Sequence, residues 1–84
     1  MSKVNKMKFD KYLKEFVDDD LIYWYAVNTE TNNVLGIKYY PENFNHWQIS
    51  PACIANTERS TEITKDEFLQ AYNQAVEYLI DAMP

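Results

Sequence analysis

Chemistry needs groups that converge in space, and the residue types best suited to it occur once each in this 84-residue chain: His46, Cys53 and Gly36. No serine, cysteine or carboxylate stands near His46 at the spacing of a local catalytic motif, so it reads as a loop-to-strand junction residue beside Trp47. Cys53 lies in the apolar stretch Ala52-Cys53-Ile54-Ala55, which predicts a buried, unreactive side chain. One cysteine and one histidine fall short of a closed tetrahedral zinc site. Asp18-Asp19-Asp20 crowds three carboxylates, but a calcium loop spaces its oxygen donors alternately around a turn glycine, with a distal glutamate. None of that surrounds the run, which reads as a helix end and a solvated turn. With Gly36 the sole glycine, loops that cradle phosphate through several glycines are excluded, and nucleotide cofactors with them. Its expected job is local: a flat spot in a strand, or room for Thr29 or Val27 across a hairpin. The chain is thus expected to carry no catalytic residue, no metal and no cofactor, and not to be an enzyme.

Charge and aromatic content point to a surface instead. The formal net charge is −5. Residues 1–14 carry five lysines against Asp10, a local +4, whereas residues 15–84 carry three basic and twelve acidic side chains, a local −9. An anionic body of this kind repels a phosphate backbone and favours a basic protein partner or plain solubility. Tyr23, Tyr25 and Tyr40 are expected on one sheet face together with Lys38, which resists full burial. Left in solvent they form a rigid amphipathic patch; the alternative is a first helix that covers them. Stacked tyrosines also suit single-stranded nucleic acid, but no basic groove accompanies them.

The elements that must position these residues follow from periodicity. Phe9, Leu13, Phe16 and Val17 share one helical stripe, which predicts a helix from about Lys6 to Asp18, although its lysine-rich start opposes the helix dipole. Leu21 to Val27 and Val34 to Tyr40 read as a hairpin. Loops at Asn32-Asn33 or at 30–33 both give odd-sum pairing. Either puts Ile22, Trp24, Ala26, Leu35, Ile37 and Tyr39 on a core face, with Tyr23, Tyr25, Val27, Lys38 and Tyr40 opposite. Pro41 ends the second strand. Trp47 to Ser50 starts a third that runs through Cys53-Ile54-Ala55, a turn follows at 56–59, and Ser60 to Ile63 adds a short fourth strand. Thr64 and Glu67 form a capping box that opens a helix with an apolar stripe of Phe68, Leu69, Tyr72, Ala75, Val76, Leu79, Ile80 and Met83.

These elements predict a single α+β domain over residues 1–84, frayed at 1–5. It has two layers: an N-terminal helix, a three- or four-stranded antiparallel sheet and a C-terminal helix (α-β-β-β(-β)-α), with both helices on one side. The lone cysteine and the absence of an 18-residue apolar run suggest a cytoplasmic protein with no membrane association. The function expected is that of a small acidic interaction module, such as an inhibitor or adaptor of the kind phages and other mobile elements carry. Tyr23, Tyr25 and Tyr40 would anchor a basic protein surface, such as one that otherwise holds nucleic acid, while Asp18, Asp19, Asp20, Glu58 and Glu62 steer it. The alternative is a homodimer that buries the tyrosine face.

Overall fold

The computed structural model describes residues 9–82. Lys6 to Lys8, residues 1–5 with their expected fraying, and Met83 therefore lie outside the described residues. Five strands, β1 (Lys11–Asp18), β2 (Leu21–Asn28), β3 (Asn33–Tyr40), β4 (His46–Ala52) and β5 (Thr61–Ile63), precede one helix, α1 (Lys65–Asp81). They form a single antiparallel sheet of order β4-β3-β2-β1-β5 with α1 packed on one face. No helix among the described residues is long and apolar enough to cross a membrane.

The expected first helix is overturned: its described part is β1, paired with β2 from Lys11 opposite Val27 to Asp18 opposite Leu21. Its apolar spacing fits both periods over so short a run, and pairing decides between them. As a strand the segment satisfies the backbone edge of β2 and sends Tyr12 and Leu13 to opposite faces, each into apolar surroundings. A helix would bury only one stripe and set its lysines against its own dipole.

The central hairpin pairs Ile22 with Tyr39 and Asn28 with Asn33, leaving a four-residue loop at 29–32. Asn32 takes the positive φ of 61° there, and Asn28 Oδ1 accepts from the backbone N–H groups of Glu30 and Thr31. The loop sits one residue earlier than expected, yet the pairing sum stays odd, so every side chain falls on its expected face. Trp24, Ala26 and Ile37 meet Phe68, Ala71 and Ala75 of α1 in the main core, with Trp47 stacked on Trp24 at 5.6 Å between ring centroids. Ala71 and Ala75 are small enough to let the helix sit close to the sheet. Leu79 and Ile80, expected in the stripe, stay exposed, while Tyr78 packs inward. At the start of α1, Thr64 Oγ1 accepts from the N–H of Glu67 at 3.1 Å.

The second face of the sheet is also sheltered. β4 and β5 occupy opposite edges, so the 53–60 connection must span four inter-strand spacings, about 19 Å. It crosses the face that α1 leaves open, bringing Asn56 beside Tyr23, Tyr25 and Gly36. The third strand does not continue through 53–55 as expected; β4 ends at Ala52 and a 3-10 turn follows at Ile54–Thr57. Cys53 is consequently exposed rather than buried, its N–H donating to Asn56 Oδ1 at 3.0 Å. Gly36 pairs across the hairpin with Tyr25, and a methyl group there would come within 3.3 Å of the Ser50 carbonyl. The room it leaves therefore serves Tyr25 and β4, not Thr29 or Val27.

Candidate functional site

Tyr25, expected as an exposed anchor, is only 3% exposed. Leu13, Val27 and Val34 surround it in a second small core, and the 53–60 connection roofs it. Burial first, and then the negative charge of the neighbouring Glu15 carboxylate, hold the Tyr25 pKa well above the usual phenol range. Tyr23 is half-buried, its ring 5.7 Å from that of Tyr25 and capped by Lys38 Nζ at 5.7 Å. Tyr40 is half-buried as well. The three rings do not form one wet patch.

A different surface gathers exposed apolar and acidic groups. Register places the β1–β2 turn beside the β3–β4 loop, since Asp18 faces Leu21, Ile22 faces Tyr39 and Tyr40 faces His46. The C-terminal turn of α1 reaches the same end of the sheet, where the Tyr78 hydroxyl lies 2.8 Å from His46 Nδ1. Asp18, Asp19, Asp20, Glu42, Glu77 and Asp81 therefore share this end. The segments that build it, 15–23, 39–52 and 73–82, contain no lysine or arginine. Of the described cations, Lys11 and Lys65 begin β1 and α1 at the opposite end, Lys14 and Lys38 stand over Trp24 and Tyr23, with Lys38 paired between Tyr23 and Gln48 just behind this end, and Arg59 lies in the connection two residues before Thr61, which faces Lys14. The carboxyl end of α1, with no basic residue in its last turn, adds partial negative charge.

Among the described residues, five of the seven large apolar side chains that are exposed, Phe16, Val17, Phe44, Leu79 and Ile80, belong to these same segments. Phe44 is the most telling. It is 94% exposed, yet it is held at φ 60°, with Asn45 following at 52°. Positive φ is costly for a bulky side chain, and here the ring gains no packing in return. The loop is secured around it: Tyr39 donates from its hydroxyl to Asn45 Oδ1 at 2.5 Å, and the Asn43 N–H bonds the Tyr40 carbonyl at 3.2 Å. The aromatic ring is thus presented rather than packed. Asn-Phe-Asn inside an otherwise polar loop was the available sign in the sequence, since asparagine tolerates the left-handed region and phenylalanine has no reason to sit in water.

Of the other expected site residues, Asp18, Asp19, Asp20 and Tyr40 fall on this end, with the Asp20 N–H donating to Asp18 Oδ1 at 2.8 Å to close the turn. Glu62 faces Leu13 on β5, and Glu58 follows the 3-10 turn, so neither joins them. His46 has both ring nitrogens engaged, Nδ1 with Tyr78 and Nε2 with Gln48 at 3.1 Å, which ties β4 to α1. Among the described residues no group of three or more His, Cys, Asp or Glu side chains could hold a metal ion. Two open grooves flank α1, because one helix is narrower than five strands. The larger, about 480 Å³, is lined by Phe9, Tyr12, Leu35, Phe68, Leu69 and Tyr72, with Lys65 at its margin. No protein-family model, curated protein or solved structure matches the chain.

Proposed function

We propose that this protein is a non-enzymatic interaction module, an inhibitor or adaptor, whose acidic end binds a basic surface of another protein. Phe44 is its apolar anchor, Tyr40 and Ile80 lie beside the contact, and Asp18, Asp19, Asp20, Glu42 and Asp81 steer the approach. The observation that carries this reading is a phenylalanine 94% exposed and held in a costly backbone conformation, at an end whose segments carry carboxylates and no lysine or arginine. Interfaces concentrate affinity in a few aromatic anchors, whereas like-signed charge around them sets the encounter rate and its sensitivity to salt. A basic surface that otherwise holds nucleic acid has the matching chemistry. The alternative of a homodimer through the tyrosine face loses its driving force, because the chain's own connection already buries Tyr25.

The test is association kinetics with the protein captured by the wild-type chain from its native cell. Phe44→Ala is expected to raise Kd by about tenfold or more, mainly through faster dissociation. Asp19→Lys with Asp20→Lys should slow association, and the wild-type rate should fall steeply with added salt. A rate indifferent to salt and to both variants would remove the acidic end from the interface.

A further inference from the structure

We infer that the outer edge of β1 beyond Lys14 takes up an extended basic segment of the partner by β-strand addition; this rests on the acidic-end reading and names the form in which the partner binds. β5 covers β1 only from Tyr12 to Lys14. From Glu15 to Asp18 the side of β1 away from β2 has no strand against it among the described residues. In such an edge alternate residues direct their N–H and C=O groups outward, ready to pair.

Three observations choose the occupant. Phe16, 66% exposed, and Val17, 41% exposed, stand on this ledge and offer apolar contact to a neighbouring strand. Glu15, Asp18, Asp19 and Asp20 flank them in the chain, four carboxylates against two cations on this side: Lys14, engaged over the Trp24 ring at 5.6 Å, and Arg59, two residues before the Thr61 that faces Lys14. A second copy of this chain does not fit that charge: antiparallel self-pairing about Phe16 and Val17 sets Glu15 opposite Asp18. Slipping the register outward only exchanges Asp18 for Asp19 or Asp20, and like charges placed opposite destabilise a ladder. A strand that alternates lysine or arginine with apolar residues meets both features at once.

Acidic residues and the bulge at Val17 are also devices that protect an edge from unwanted pairing. Protection alone does not account for a phenylalanine and a valine left in water on the protected stretch. The carboxylates select by charge, and the two apolar side chains reward the strand that passes.

The full-length protein is titrated with a synthetic octapeptide alternating lysine and valine, and with one of equal charge alternating lysine and proline, which cannot donate to a ladder. Strand addition predicts that the lysine-valine peptide binds about tenfold or more tightly, a margin of one or two backbone hydrogen bonds. It also predicts slower amide hydrogen exchange confined to residues 15–18. Phe16→Ser, at an exposed position, should weaken the lysine-valine peptide and leave the lysine-proline peptide unchanged. Equal binding of the two peptides, lost in the Asp19→Lys, Asp20→Lys variant and without protection at 15–18, would overturn strand addition and keep the acidic end as a binding surface. Binding of neither peptide would overturn both.

Discussion

Phe44 and Tyr25 show opposite uses of an aromatic residue. At Phe44 the backbone is strained while the ring is wet, so replacing it by glycine removes the strain and sacrifices almost no packing. Phe44→Gly is expected to raise stability by about 0.5–1 kcal/mol, the left-handed cost exceeding the extra chain entropy of glycine. Phe44→Ala keeps the positive φ and should leave stability unchanged. Urea denaturation of the two variants separates backbone from ring, and a loss of stability in both would mean that the ring packs. At Tyr25 the side chain is buried and its pKa is raised, first by desolvation and next by Glu15. Below about pH 10 the phenol is neutral whether the chain is folded or not, so its contribution is fully present there. Above that value the unfolded chain releases the proton and the folded one retains it, so stability falls as pH rises. Tyr25→Phe should flatten that decline between about pH 9 and 11 in denaturation experiments; an unchanged slope would contradict the raised pKa.

Among the elements, β1 and α1 are decided by different forces. α1 has a local start signal in Thr64, and removing its hydroxyl by Thr64→Ala should cost about 1 kcal/mol of stability, measured by thermal or urea unfolding. A neutral result would mean that water replaces the cap. β1 has no such signal and exists because β2 and β5 offer it hydrogen bonds on both sides along Tyr12 to Lys14. Asp10, just before β1, ties its start to the hairpin loop: Oδ1 accepts from the Thr29 N–H at 2.9 Å and Oδ2 from its hydroxyl at 2.6 Å. Those bonds hold the Asp10 carboxyl below the usual carboxylate range.

For the whole molecule, one helix on five strands leaves part of the sheet to be covered by a connection, and it sends two turns and a helix terminus to a common end. That end gathers six carboxylates, and the segments that build it carry no lysine or arginine, so two copies approaching through it repel one another. The protein is expected to sediment as a monomer at tens of micromolar and physiological salt, where mutual repulsion of such ends outweighs the attraction of a few exposed apolar groups. A dimer under those conditions would require another face, the groove around Phe68 and Tyr72 first among them.

Legible in the sequence were the features set by neighbours along the chain. The hairpin and its faces followed because any odd pairing sum sorts Trp24 and Ile37 from Tyr25 and Lys38 in the same way. Pro41 ended β3 for want of an N–H, and the Thr64 cap with its apolar stripe announced α1. Which side of the sheet would be wet depended on where residues 53–60 travel between distant edges, and no local pattern encodes that path; Tyr25 was placed on the correct face and given the wrong surroundings. Asp18 to Asp20 could be seen as a run of charge, but their company with Phe44 and Asp81 arises from strand register and from the direction of α1. Composition and period determined the hairpin, α1 and their faces, because these depend on contacts a few residues apart. Tertiary structure alone decided that β1 is a strand and that the acidic groups meet at one end, because pairing energies between remote segments outweigh local preference.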